Sequence, residues 1–292
     1  MLVSDRFLVA IGYHGNSFHG SQIQPEVRTV EGSIRQALRR LNWWSDGCLE
    51  ISSRTDSGVS ARVNLARIDL PKAVSEKVSH ESIVNTLNDH LPVGVVAIRA
   101  RRSPSGSRVR NASFRRYLYL LGAIEEWPSD PDPDLISQVC PLFEGEHDFT
   151  NLSRLEEGTN PIRTVDDCSP WFSGDGRPIG FSIRSRSFIW NQVRRIASSI
   201  SGIASGRIGI PDLKAAIEEP HERVDLGRAP ASGLVLWSIS HPDFEMPMPD
   251  KPPPGQNFTG RPPEPRDYRR WMAMAGYEMS SLLEREWLSR IE

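Results

Sequence analysis

Cysteine is scarce in this 292-residue chain: Cys48, Cys140 and Cys168 are the only three. None stands in a Cys-x-x-Cys pair, and the seven histidines show no zinc-like spacing with them. Neither a disulfide framework nor a metal site is therefore expected, and a reducing cytoplasm fits best. No apolar run is long enough to cross a bilayer, and Met1–Arg6 has no signal-peptide architecture, so a soluble cytoplasmic protein without a membrane partner is expected. Glycine-rich nucleotide motifs are missing, both G-x-x-x-x-G-K-[ST] and a post-strand G-x-G-x-x-G. So is a Gly-x-Ser-x-Gly elbow. These absences argue against NTPases, dinucleotide enzymes and common esterases. Neither sign of charge dominates, with 35 basic against 37 acidic residues and a formal net charge of −2. Arginine greatly outnumbers lysine, which occurs only at Lys72, Lys77, Lys214 and Lys251. Arginine offers planar, bidentate contacts to phosphate and stacks on bases.

What is present is a chain that can bury a core, with 38% hydrophobic residues. Residues 6–13 are apolar and β-branched and predict a buried strand stopping at His14-Gly15. Thr29 predicts the N-cap of a helix to about Trp43, with Ile34, Ala37, Leu38 and Leu41 on one face. A short strand at 48–53 leads into the polar loop Arg54–Ser60, and 61–70 return as a strand. The apolar phase of that strand changes between Leu65 and Ala66, which predicts a bulge there. A helix capped by Ser79 and a strand over 93–100 follow. The Ser-, Arg-, Gly- and Pro-rich stretch Arg101–Asn111 divides an N-terminal half (1–105) from a C-terminal half (106–246). The second half predicts strands at 113–124, 162–172, 178–188 and 233–239. Its predicted helices are 134–143, 190–205 and 211–219, the last opened by Pro211. Eight prolines make 247–265 a stiff, extended linker. Residues 266–292 read as an amphipathic helix docked on its own domain, with Met272, Ala275, Met279, Leu282 and Leu283 at helical spacing. Mixed order and hairpin-like connections predict an α+β fold.

Three stretches carry candidate chemistry. The first is Arg54-Thr55-Asp56-Ser57-Gly58-Val59-Ser60-Ala61, a loop between strands. Asp-Ser-Gly is also ordinary turn chemistry, so spacing alone leaves Asp56 open between a turn residue and a functional carboxylate. The second is an arginine stripe, Arg99, Arg101, Arg102, Arg108, Arg110, Arg115 and Arg116, with no acidic residue between and with Phe114, Tyr117 and Tyr119 alongside. Phosphate binding with base stacking is one reading; a solvated basic face with core tyrosines is the other. The third is Phe188-Ile189-Trp190-Asn191-Gln192-Val193-Arg194-Arg195, where a strand passes into a helix and Arg194 sits near an anion-favouring helix N-terminus. Taken in isolation, a core helix with two surface arginines is the favoured reading. His14 and His19 flank a glycine-rich turn and suggest no particular chemistry.

Taken in order along the chain, these stretches resemble the TruA-type tRNA pseudouridine synthases. Tyr13-His14-Gly15 with Phe18 to Gln24 is similar to the family's first strand and loop, and Thr29-Val30-Glu31-Gly32 to the start of its first helix. Arg54 to Ala61 resembles the signature around the catalytic Asp. Asn88 with Leu91-Pro92, Arg115-Arg116-Tyr117-Leu118-Tyr119, Gly145 to Thr150, Phe188 to Arg194, and Gly233 to Leu236 resemble the remaining motifs, over roughly 6–240. Ser21 stands where a Trp is frequent, Ser60 where the bacterial signature has His, and Leu118 where Arg is common. Ser60 looks like the archaeal and eukaryotic branch. The tail beyond Pro247 has no counterpart.

The resemblance implies the pseudouridine synthase fold: two α+β halves sharing a mixed, mostly antiparallel sheet with a central cleft. It implies an isomerase that uses no cofactor, commonly works as a homodimer, and acts on the anticodon arm of tRNA, within tRNA positions 38–40. It implies Asp56 as the catalytic residue, acting by attack at the sugar carbon or by removal of a sugar proton. Arg54 and Arg194 are then its cationic neighbours and Tyr117 stacks on the target base. Arg101, Arg102, Arg108, Arg110, Arg115 and Arg116 are expected to hold the RNA backbone. A catalytically silent RNA-binding protein of the same fold is the alternative.

Overall fold

The computed structural model describes residues 4–255 and 258–291. Met1–Val3, Gln256, Asn257 and Glu292, which belong to the N-terminal, linker and C-terminal helix expectations, lie outside the described residues. In chain order the elements are β1 (Ser4–Tyr13), α1 (Val30–Arg40), β2 (Leu49–Ile51), β3 (Ser60–Pro71), α2 (Lys72–Ser75), α3 (His80–Asn88) and β4 (Val95–Arg102). They continue with β5 (Phe114–Leu120), α4 (Pro133–Val139), β6 (Gly145–Asp148), β7 (Ile162–Phe172), β8 (Pro178–Ser185), α5 (Gln192–Ala204), α6 (Ile210–Glu218), β9 (Leu234–Ser240) and α7 (Tyr268–Leu288). The class is α+β, and the chain divides into two units. The first contains Met1–Ser113, Val235–Asp250 and Ser280–Glu292; the second contains Phe114–Leu234 and Lys251–Met279.

In the first unit β1 is central, antiparallel to β3 on one side and to β4 on the other. β3 gives its remaining edge to two partners, antiparallel to β2 at Ala66–Ile68 and parallel to β9 at Ser60–Ala61. Phe7 to Ile11 are buried throughout, as the continuous apolar run requires of a strand covered on both faces. Helix α1 begins where the sequence signals it, with the Thr29 side chain accepting from Gly32 N–H. Asn88, in the Asn-x-x-Leu-Pro segment, pins α3 to β4 by exchanging two hydrogen bonds with the Ala97 backbone, at 2.9 and 2.8 Å.

The irregularity of β3 is not where the sequence puts it. Leu65 and Ala66 pair in unbroken register with Ala10 and Val9; the shift falls between Ala61 and Asn64. The surplus removes Arg62 and Val63 from the pairing with β1. The end of α7 fills the gap. Trp287 Nε1 donates to the Arg62 carbonyl at 2.7 Å, and a Cβ on Gly12 would lie 2.3 Å from that indole nitrogen. The Arg62 guanidinium is 0% exposed. It meets Glu286 at 2.6 Å and the Pro249 carbonyl at 3.0 Å, over the ring of Trp237. Burial pushes the Arg62 pKa down, and Glu286 draws it back up.

The second unit is an antiparallel sheet in the order β5-β8-β7-β6. Arg116 sits directly opposite Arg184, an unfavourable pair on its own. An irregularity in β7 between Val165 and Asp167 brings acid to both: Asp167 pairs with Arg116, and Asp166 lies 3.5 Å from Arg184. Tyr119 is buried, stacks on Phe181 and donates to the Pro230 carbonyl at 2.8 Å; burial raises its pKa, with Arg194 acting against the rise. The proline-rich segment lies against this unit. Trp171 Nε1 donates to Pro253, Gly255 N–H to Phe172, and Phe258 meets the Trp171 ring edge-on. Trp271 of α7 covers Gly122, where a Cβ would come within 2.2 Å of the indole. The buried face of α7 is Trp271, Ala275, Met279, Leu283 and Trp287, a strict four-residue spacing that leaves Met272 and Leu282 half-buried.

Glu286→Ala strands a buried guanidinium and should cost about 3 kcal/mol of stability, read as a lower denaturation midpoint. Glu286→Gln, which retains an acceptor, should cost less. An unchanged midpoint in Glu286→Ala would show that Arg62 does not depend on this partner.

Candidate functional site

Asp56 lies in the loop between β2 and β3, and its backbone is held from both sides. The Asp56 carbonyl accepts from Val59 N–H at 3.2 Å, closing a turn that places Gly58 at φ +86°, a left-handed conformation that favours glycine. Upstream, Thr55 N–H donates to Ser21 Oγ at 2.8 Å and Ser21 N–H donates to the Thr55 carbonyl at 3.1 Å. The Thr55 hydroxyl lies 2.9 Å from Tyr13 Oη. Asn64 secures the loop's first residues: its Oδ1 accepts from Ser53 N–H at 3.2 Å, and its Nδ2 donates to the Ser53 carbonyl at 2.9 Å and to Tyr13 Oη at 3.2 Å. Ser60 Oγ accepts from Gly15 N–H at 2.9 Å. A Cβ on Gly15 would stand 2.3 Å from the Val59 carbonyl carbon, so only glycine allows this approach. Asp56 is half-buried on this frame and Arg54 is exposed.

Ser21 and Ser60, two of the three departures from the common pattern, thus tie the first loop to the Asp56 loop. Tyr13 and Asn64 are further residues of the site that sequence reasoning missed. Tyr13 sat inside a motif without an assigned role. Asn64, a fully buried amide in an apolar strand, was the signal for the other, because such a group needs specific partners.

In the second unit Tyr117 is on β5, opposite Ile183, with its ring edge-on to Phe188 at 5.2 Å. Arg194 is in the first turn of α5. Its Nε donates to the Ala229 carbonyl at 2.8 Å and its Nη1 to Asn191 Oδ1 at 3.1 Å. Asn191, at φ 62°, turns the chain into the helix, and Gln192 Oε1 accepts from Ile189 N–H at 2.9 Å. The Phe188–Arg194 motif therefore builds a fixed corner that aims one guanidinium.

The arginine stripe divides between several environments. Arg102 pairs with Asp5 at 2.8 Å and Arg110 with Glu50 at 2.9 Å. Arg116 is 2% exposed and bonded to Asp167 and to Ser182 Oγ. Arg115 donates to the Arg186 carbonyl at 2.7 Å, and burial lowers its pKa. Arg101 is half-buried and donates to the Ala100 carbonyl at 2.8 Å. Arg108 is exposed, while its carbonyl lies 3.0 Å from His241 Nε2. Asp5, Glu50 and Asp167 are far from the stripe in sequence, so its basic composition overstates its unneutralised charge.

A family model described as tRNA pseudouridine synthase matches residues 139–242. The chain is 32% identical over 232 residues to the tRNA pseudouridine synthase A of Methanocorpusculum labreanum, covering 78% of this chain and 77% of that one. It is 30% identical over 277 residues to the protein of the same name from Methanosphaerula palustris, covering 94% and 88%. Against the Pyrococcus horikoshii protein of that name, identity is 31% over 244 residues, covering 82% and 87%. With matches of this identity across most of both chains, the protein belongs to the TruA-type family of tRNA pseudouridine synthases.

Proposed function

We propose that the protein isomerises uridine to pseudouridine in the anticodon stem-loop of tRNA, with Asp56 as its catalytic residue. The observation that carries this reading is the frame around Asp56. Hydrogen bonds from Ser21, Asn64 and the 56–59 turn fix the backbone on both sides, Tyr13 holds the Thr55 hydroxyl and the Asn64 amide, and the aspartate itself is half-buried. A carboxylate acting at one sugar carbon needs such a support, since orientation supplies a large share of rate enhancement. An ordinary surface turn needs none.

The reaction breaks the N1–C1′ bond, turns the uracil and forms C5–C1′. The C5 proton is lost and N1 gains one, so no second substrate enters. Asp56 acts at the ribose. The family resemblance assigns Tyr117 to stacking on the target base, and Arg54 and Arg194 to cationic support of the carboxylate and of phosphate. A stem uridine must leave its duplex, at a cost of a few kcal/mol in general. Backbone contacts offset that cost, and Arg101, Arg108 and Arg115 of the stripe are assigned to them. Arg102 and Arg110, exposed beside Asp5 and Glu50, are assigned to the same contacts, whereas Arg116, buried against Asp167, is assigned to holding β5, which carries Arg115. The same reading places the protein in the cytoplasm as a homodimer, which sedimentation of the pure protein tests.

Asp56→Asn should abolish release of tritium from C5-labelled uridine in tRNA transcripts while tRNA binding stays near wild type. Wild-type turnover in that variant would sink the assignment. A wild-type protein that binds tRNA but releases no tritium would favour the silent binder. Tyr117→Phe keeps the ring and should bind tRNA normally; a large loss of affinity would count against stacking. Asn64→Ala leaves both polar groups of Ser53 without their partner. It should cost about 1–3 kcal/mol of stability and lower kcat more than it raises KM; an unaltered kcat would show that the frame does not position Asp56.

A further inference from the structure

The first unit carries a second concentration of arginine, on α1 rather than on the 99–116 stripe. Arg28 precedes the helix, and Arg35, Arg39 and Arg40 lie on it. Arg35 and Arg39 are four residues apart, as are Gln36 and Arg40, so each pair shares one side of the helix. These arginines are held differently from those of the stripe. Among the described residues, no acidic side chain lies within ion-pair reach of Arg28, Arg35, Arg39 or Arg40. Three of the four have an aromatic neighbour. The Arg28 guanidinium lies 5.0 Å from the Phe18 ring centre, and Arg35 and Arg39 lie 4.8 and 5.5 Å from that of Trp44. Such contacts position a guanidinium without neutralising it. Arg35 Nε is buried with no hydrogen-bond partner. Arg28, Gln36, Arg40 and His90 also line an open groove running from α1 to the end of α3, with Asp89 the one acid along it.

Here, then, positive charge gathers around a half-buried tryptophan with no ion pair among the described residues to neutralise it. Polyanions bind such a field by displacing counterions, and RNA adds base or sugar contact with an aromatic–guanidinium face. We propose that α1 with Trp44 is a docking surface for the sugar-phosphate backbone of the tRNA substrate, distinct from Asp56 and the stripe. This rests on the reading that tRNA is the substrate. The surface is tied directly to the site. Val30 N–H donates to the Gly20 carbonyl at 3.3 Å and Glu31 N–H to the Ser21 carbonyl at 2.9 Å, and Ser21 bonds Thr55 beside Asp56. RNA held on α1 is two hydrogen-bonded steps from the Asp56 loop.

The test uses the full chain, unmodified tRNA transcripts and the exposed pair Arg39→Ala/Arg40→Ala. The control is Arg269→Ala/Arg270→Ala, an equal charge change at exposed positions of α7. In the α1 variant, Kd and KM for tRNA should rise about tenfold, and the slope of log affinity against log salt should flatten by about 2, one per arginine. The value of kcat at saturating tRNA should not change, and the control should bind as wild type. Unchanged Kd and slope in the α1 variant would overturn the docking surface, as would an equal loss in the control. If wild-type protein converts tRNA, those failures fall on the docking surface alone. If it neither binds nor converts tRNA, the substrate reading falls, and the docking surface with it.

Discussion

Between Ala61 and Asn64, strand β3 has more residues than β1 can pair, and that surplus organises the first unit. It takes the Arg62 carbonyl out of the ladder, and Trp287 of the last helix supplies the missing donor. It turns Arg62 inward, where Glu286 and the Pro249 carbonyl must balance a fully buried charge. Past the irregularity, Asn64 comes level with Ile11, and its amide reaches Tyr13 and Ser53. A bulge next to a functional loop re-aims side chains. Here it aims one toward the tail and one toward the Asp56 loop, so the last residues of the chain and the loop share one support.

That support accounts for a distribution of buried and half-buried polar groups that an apolar strand would otherwise disfavour. Ser60, Arg62 and Asn64 each meet a defined partner: Gly15 N–H, Glu286 and Ser53 respectively. Leaving any of them unpaired would carry a desolvation penalty of about 1–3 kcal/mol, larger for the charge. The networks therefore favour one arrangement of the loop over its alternatives, because a shifted loop leaves several groups unsatisfied together. His14 extends the same connection, since its Nε2 lies 2.8 Å from Glu284 and its ring packs on Trp287. The first loop, the Asp56 loop and the helix end thus stand or fall together.

Much of the fold was legible because local signals agreed with tertiary structure. Thr29 and Ser79 cap helices as their residue types suggest, and the apolar run at 6–13 became β1. Other features depended on partners distant in sequence. The change of phase in β3 marked a bulge but misplaced it, since Leu65 and Ala66 are both buried and no face there is solvated. Strand β6, Gly-Glu-His-Asp, has no hydrophobic period at all; it is a short polar edge, which protects a sheet from further pairing. Asp56 stood out as a candidate only through the motifs in company with it, because its own spacing suits a turn, and it does close one. Ser21, Tyr13 and Asn64 became visible once the loops were folded together.

The arginines show the same limit from the side of charge. A stripe without acids in sequence acquires them in space, through Asp5, Glu50 and Asp167. Helix α1 carries Glu31 in its first turn, yet Arg35 and Arg39 meet a ring instead of a carboxylate. Net charge in sequence measures neither: what a polyanion responds to is the charge left after internal pairing. A protein whose formal charge is −2 can hold RNA provided its acids are used internally and its arginines are not. The aromatic seats beneath Arg28, Arg35 and Arg39 meet that condition, since they order the guanidiniums and leave their charge intact.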